Sequence, residues 1–258
     1  MPKLAANLSM LYNEVPFLER FDAAAAAGFR AVEVQYPYAF AAADICARLE
    51  RNGLALVLHN FPPGKFEGGE RGMACHPDRI DEFQDSVGQA IEYAKALATP
   101  QLNCIVGIPP RGISSEAAQA TLVANLTFAA GKLKAEGLRL LIEPINTFDF
   151  PGMFLTGSRQ ALEIIDATGS DNIFLQYDIY HMQRMEGELA NTIKKNLARI
   201  GHMQLADTRG RNEPGTGEIN FAYLLRAIDA LGYDGWIGCE YKPATTTAAG
   251  MSWIEAYR

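Results

Sequence analysis

The sequence predicts an α/β fold, a single (β/α)8 TIM barrel occupying residues 1–258 as one domain. Three observations predict it. Short apolar runs of strand type alternate with longer helix-forming stretches eight times along the chain. Such alternation implies a parallel sheet, and eight units in about 250 residues suit a closed barrel. No linker or low-complexity segment divides the units. Several strand runs close on a carboxylate, which is how a buried barrel strand delivers a site residue. An open doubly wound sheet would need a Gly-rich dinucleotide turn after the first strand. Ser9-Met10-Leu11-Tyr12 is not one.

The elements follow in order. Residues 4–9 read as the first strand. Glu14 and Pro16 precede a helix that runs through the alanines of 23–27 and stops at Gly28. Residues 31–34 form a strand, 41–51 a helix and Gly53 its stop. The third strand, 54–58, ends in His59-Asn60 and opens a Gly-rich loop over 62–77. A long amphipathic helix covers 78–98, and the fourth strand covers 102–106. Ser114-Ser115-Glu116 starts a helix that extends to Glu136. Strand five, 138–142, is closed by Glu143-Pro144, and a helix covers 158–168. Strand six, 173–177, runs into Asp178, with His181 three residues on. A helix at 187–199 leads to strand seven at 202–205. A helix at 219–231 ends at Gly232, and strand eight, 236–239, closes on Glu240. Residues 247–257 are read as a last helix.

Composition narrows the function. The chain is 48% hydrophobic and carries a net charge of −7 with no basic run, which argues against nucleic acid or an anionic membrane as a partner. No apolar run is long enough to span a bilayer, and the N-terminus lacks a signal-peptide core. Cys46, Cys75, Cys104 and Cys239 are scattered, without C-x-x-C spacing. They read as reduced thiols of a cytoplasmic protein.

In a barrel the C-terminal strand ends meet around one mouth. Glu143, Asp178 and Glu240 would converge there, with Gln204 near the end of strand seven and Asp207 following it. Asp178 also suits the N-cap of the segment that follows. Three carboxylates in one mouth repel one another, and a divalent metal is the simplest offset. Oxygen ligands suit Mg²⁺ or Mn²⁺ better than Zn²⁺. His181 sits where it could reach a substrate oxygen or hold a ligand. Arg211, on the loop after strand seven, offers a fork-shaped cation for a carboxylate. Lys242, just past Glu240, and Arg71, in the loop after strand three, are further cations. His59 ends strand three and is expected to face the mouth as a polar contact. Glu33 and His202 are expected behind the site as supporting groups, His202 deeper in the barrel. The chain has no G-x-S-x-G elbow, no phosphate-cradling G-x-x-x-x-G-K and no H-E-x-x-H.

Longer motifs carry a resemblance. I-E-P-I-N (142–146), Q-Y-D-I-Y-H-M-Q-R-M-E-G (176–187), G-H-M-Q-L-A-D (201–207), E-P-G-T-G-E-I-N (213–220) and G-C-E-Y-K-P (238–243) resemble the hydroxypyruvate isomerases. A-N-L-S-M-L (6–11) and G-E-R-G-M-A-C (69–75) fit as well, so the resemblance covers nearly the whole chain. These enzymes are part of the xylose-isomerase-like barrels, with ketose 3-epimerases and 2-oxotetronate isomerase. The resemblance implies that Glu143 and Glu240 are proton donor and acceptor as well as metal ligands. It also implies that Asp178 and Gln204 complete the metal site. A small hydroxy or keto acid as substrate and a homo-oligomer follow from the same resemblance. Epimerases usually have His where this chain has Gln204, whereas hydroxypyruvate isomerases resemble it in having Gln.

Overall fold

The computed structural model describes residues 2–257. Eight parallel strands close into a barrel in chain order. They are β1 (Lys3–Asn7), β2 (Ala31–Val34), β3 (Ala55–Asn60), β4 (Gln101–Cys104), β5 (Arg139–Ile142), β6 (Ile173–Asp178), β7 (Ile200–Leu205) and β8 (Trp236–Cys239). Closure runs through four β8–β1 pairs, from Trp236–Lys3 to Cys239–Ala6. The helices are α1 (Arg20–Ala26), α2 (Ala42–Asn52), α3 (Ile80–Ala96), α4 (Ser115–Ala135), α5 (Ser158–Thr168), α6 (Ile179–Met185), α7 (Leu189–Asn196) and α8 (Phe221–Ala230).

Three elements differ from the expectation. Helix α6 follows β6 directly, in a segment for which the sequence suggested a cap at Asp178 but no helix range. It has only seven residues, too few for a periodic apolar signal, and Asp178 caps it. The helix expected over 187–199 is shorter. It begins only after Glu188, which takes a left-handed φ of 49°, and passes into a 3-10 turn at Leu197–Arg199. Residues Ala249–Tyr257 form 3-10 turns rather than an α-helix.

Strand alternation sorts side chains into two populations. One points outward. Val32, Val34, Leu56, Leu102, Leu140, Leu175, Met203 and Ile237 join helix residues such as Phe21, Ile45, Phe83, Leu122 and Leu224 in one apolar core. The other points into the barrel. At the base it is apolar, with Ala5, Ala31 and Val57 packed together against Trp236. Above them it turns polar. The parallel register pairs Asn7 with Glu33, Gln176 with His202, Asp178 with Gln204, and Gln204 with Gly238.

Gly238 is an inward position with no side chain, and the reason is steric. A Cβ built there would fall inside the van der Waals radius of the Glu33 carboxylate. Overpacking of this kind costs about 1–3 kcal/mol. Gly238→Ala should therefore lower the urea midpoint by that equivalent. An unchanged midpoint would show that Glu33 can move without cost.

Candidate active site

The inward polar side chains form one hydrogen-bonded system. Asn103 Nδ2 donates to Glu143 Oε2 at 2.8 Å and to Asn60 Oδ1 at 3.2 Å. Gln176 Nε2 donates to the same Glu143 oxygen at 2.9 Å and to Gln204 Oε1 at 2.6 Å. Gln204 Nε2 in turn donates to Glu33 Oε1 at 2.8 Å, which also accepts from Asn7 Nδ2 at 2.8 Å. His202 Nε2 lies 2.7 Å from Glu33 Oε2, as expected for a group deeper in the barrel. A carboxylate only accepts, so Glu33 takes the Gln204 amide nitrogen and leaves its oxygen to accept from Gln176.

Glu143, Asp178 and Glu240 are all buried at the mouth. The donors to Glu143 sit on Oε2, so Oε1 faces His181 Nε2 at 3.9 Å. Asp178 plays both parts suggested for it. Its Oδ1 caps α6 by accepting from the Tyr180 N–H at 2.8 Å. Its Oδ2 is buried without a hydrogen-bond partner among the described residues. That oxygen is 3.6 Å from His181 Nε2 and 3.6 Å from Arg211 Nη2. Glu240 accepts from Gln35 Nε2 and lies 3.3 Å from the same Arg211 nitrogen.

Burial is the main electrostatic cost. Burial first, then repulsion from Glu240 and Asp178, raises Glu143 well above the usual carboxylate range. Burial raises Asp178 to about 6 and Glu240 to about 8, with the Arg211 guanidinium pulling both back. Burial holds His181 well below its usual value, so its ring is neutral.

Arg211 is brought in by its loop. It takes a left-handed φ of 56°, and its guanidinium lies 5.2 Å from the centre of the Tyr180 ring. Asp207 organises that loop. Its carboxylate accepts from the N–H groups of Thr208 and Ile219 on Oδ1 and of Gly215 and Gly217 on Oδ2, at 2.9–3.1 Å. Asp207 therefore shapes the loop that presents the cation.

A cavity of about 200 Å³ opens over these groups. It is lined by Glu143, Glu240, Gln176, Gln204, His181 and Arg211, with Arg71 and Lys242 also on its wall. Arg71 lies 4.0 Å over the Phe66 ring and donates to the Phe66 and Glu70 carbonyls, at 3.2 and 2.8 Å. Its loop is anchored where Gly72 and Gly107 pack backbone on backbone, leaving no room for a Cβ at either. Ile105, Ile145 and Met153 form an apolar wall on one side, backed by Phe150.

His59 does not face this cavity, contrary to expectation. A register shift between β2 and β3 sets it beside Val34 and Leu102, both outward residues. Its ring contacts Tyr38, and its Nδ1 lies 3.2 Å from the Asn60 carbonyl. Asn60 lines the cavity in its place. Sequence reading missed Gln35, Asn60, Asn103, Asn146 and Gln176 as site residues. For Gln176 a signal was present. It stands two residues before Asp178, as His202 does before Gln204, and alternate strand residues share a face.

The carboxylates present could hold a divalent ion. Glu143, Asp178 and His181 place ligand atoms within 4.8 Å of one another. Glu240 stands beside that group, engaged by Gln35 and Arg211. When all three carboxylates are ionised, Arg211 leaves two negative charges uncompensated, the charge of one divalent ion. The unpartnered Asp178 Oδ2 is the kind of oxygen such an ion satisfies.

Comparison with known proteins bears on this arrangement. The model of the family described as "Xylose isomerase-like TIM barrel" matches residues 21–257. The chain belongs to that family. It is 54% identical to the hydroxypyruvate isomerase of Escherichia coli K12 over 258 residues, covering all of both chains. It is 47% identical to the 2-oxo-tetronate isomerase of Cupriavidus necator, covering 100% of this chain and 99% of that one. A solved structure of an AP endonuclease, family 2, from Brucella melitensis superposes with a TM-score of 0.97 at 42% identity, covering both chains fully. The chain is an isomerase of this family. Among the described residues, no helix is long and apolar enough to cross a membrane.

A divalent ion bound here would compete with protons for these carboxylates. Mg²⁺ should raise the Tm of metal-stripped protein, and the shift should grow between pH 6 and pH 8. The sign follows from the raised pKa values. At pH 6 the carboxyls hold protons that the ion must displace, and at pH 8 they hold fewer. Asp178→Asn should remove most of the shift. A shift of the same size at both pH values in differential scanning calorimetry would contradict this reading.

Proposed function

We propose that the enzyme interconverts hydroxypyruvate and 2-hydroxy-3-oxopropanoate (tartronate semialdehyde) by proton transfer through an enediolate. One observation carries the proposal. Two buried carboxylates with raised pKa, Glu143 and Glu240, face one small cavity that also presents cations. A pure binder needs no such pair, whereas an acid–base isomerase does. At about 200 Å³ the cavity is below the ~300 Å³ at which drug-sized sites begin, which favours a short substrate.

Arg211, Lys242 or Arg71 holds the substrate carboxylate. His181 donates from Nε2 to a substrate oxygen. One glutamate of the pair takes the proton from C3, and the pair returns one to C2. The hydroxyl proton on O3 passes to O2, so the carbonyl moves from C2 to C3 with no net gain or loss of atoms. A pKa near the working pH suits a group that must take and return a proton, and Glu240 at about 8 meets that condition. Glu143, Asp178, Gln204 and Glu240 would hold a divalent ion, Mg²⁺ or Mn²⁺, which would supply Lewis-acid chemistry there. The loop over 62–77, with Phe66 and Arg71 toward the cavity, acts as a lid that keeps water from the enediolate.

A second reading shares the chemistry. The Cupriavidus necator relative is a 2-oxo-tetronate isomerase, with a substrate one carbon longer. A nuclease reading fits poorly, because the mouth is lined by buried carboxylates and the net charge is −7.

NMR in D₂O with hydroxypyruvate and, separately, 2-oxotetronate tests the substrate. Preferential formation of tartronate semialdehyde with deuterium entering carbon supports the first reading. Faster turnover of 2-oxotetronate moves the assignment to the second. Glu240→Gln should keep the circular dichroism of the parent and lower kcat about 10²–10⁴-fold. Near-parental kcat in that variant would remove Glu240 from the chemistry.

A further inference from the structure

The geometry points to Asn146 as a positioning residue that fixes the tautomer of His181, with the proton on Nε2 and the lone pair on Nδ1. Asn146 is fully buried on the loop after β5, and its amide has no freedom to flip. Its Oδ1 accepts from the N–H groups of Phe148 at 3.1 Å and Asp149 at 2.9 Å. Its Nδ2 donates to Asp149 Oδ2 at 3.1 Å, an oxygen that also accepts from Tyr180 Oη at 2.7 Å. The remaining amide hydrogen faces His181 Nδ1, 2.6 Å away. Turning the amide over would set its oxygen against Asp149 and its NH₂ against two backbone N–H groups. Every donor and acceptor on this side chain is therefore committed.

His181 Nδ1 meets donors only. Besides the Asn146 amide, the Asn146 backbone N–H approaches it at 3.4 Å. A nitrogen facing two N–H groups must accept, so in the neutral ring the proton sits on Nε2. The groups around Nε2 agree. Asp178 Oδ2 at 3.6 Å and Glu143 Oε1 at 3.9 Å are both acceptors.

Two consequences follow. His181 can donate to a substrate oxygen in the mouth without first exchanging its proton. It cannot offer Nε2 as a ligand, although that nitrogen lies within the tight group with Glu143 and Asp178. The catalytic use of the donor rests on the isomerase reading above; the tautomer does not.

Long-range ¹H–¹⁵N NMR of the full-length protein tests the tautomer, with His181→Gln to assign the ring. The expected spectrum has a pyrrole-type Nε2 and a pyridine-type Nδ1, in metal-stripped protein and again after saturation with Mg²⁺. A protonated Nδ1, or loss of the Nε2 proton on adding Mg²⁺, overturns the proposal whether or not any variant folds. Asn146→Asp replaces the donor with an acceptor and should reverse the two resonances. With hydroxypyruvate it should lower kcat on the order of 10²-fold and leave KM little changed. In a His181→Gln background the same substitution should add little further loss. Equal losses in both backgrounds would mean that Asn146 acts through the fold, against the proposal. The expected spectrum without turnover of hydroxypyruvate would uphold the tautomer and reject the substrate.

Discussion

Burial of three acids, Glu143, Asp178 and Glu240, in one place is the constraint around which the mouth of this barrel is arranged. Buried charges of one sign are costly unless paired or neutralised. The chain meets that cost in layers. Neutral amides on Asn103, Gln176 and Gln35 donate to the carboxylates. Arg211 lies between Asp178 and Glu240, with its Nη2 toward both. Asp207, through four backbone N–H groups, shapes the loop that delivers Arg211. The layers leave Asp178 Oδ2 unpartnered and the carboxylate pKa values raised, which is the residual a divalent ion would remove.

The same arrangement explains why the barrel interior is unevenly filled. Small apolar residues close the base, and hydrogen-bonded polar residues occupy the upper layers. Glu33 is central to the upper part because it accepts from Asn7, Gln204 and His202 at once. Gly238 must then be bare to leave it room. A local requirement of the site thus dictates a residue on a neighbouring strand. Asn146 and His181 repeat the logic outside the barrel. An amide held by backbone groups leaves the ring only one arrangement of its proton.

Much of the fold was legible because apolar periodicity is a local property. Ala31–Val34, Ser158–Thr168 and Trp236–Cys239 have the bounds their residues suggest. Of helix α6 only the cap at Asp178 was legible, since seven residues carry too little apolar pattern. The site divides in a similar way. Glu143, Asp178, Gln204 and Glu240 stand at strand ends, so the barrel alone brings them to one mouth. Asn103 sits inside β4 with no distinguishing neighbour, and its bond to Glu143 spans 40 residues. His59 was read on the wrong side, because a register shift between two strands leaves no trace in either one alone.

By itself, the sequence determined the barrel, the strand ends on which the acids stand, and the family resemblance. These depend on side-chain period, strand length and motif spacing, all of which are encoded within short stretches. Only the tertiary structure decided which oxygen of each acid is engaged, that Arg211 reaches two of them, and that Asn60 rather than His59 faces the cavity. It also decided that Asp207 serves the loop and that His181 carries its proton on Nε2. Those outcomes depend on distances between segments far apart in the chain. Such distances are set by closure and register of the whole barrel, not by any one stretch.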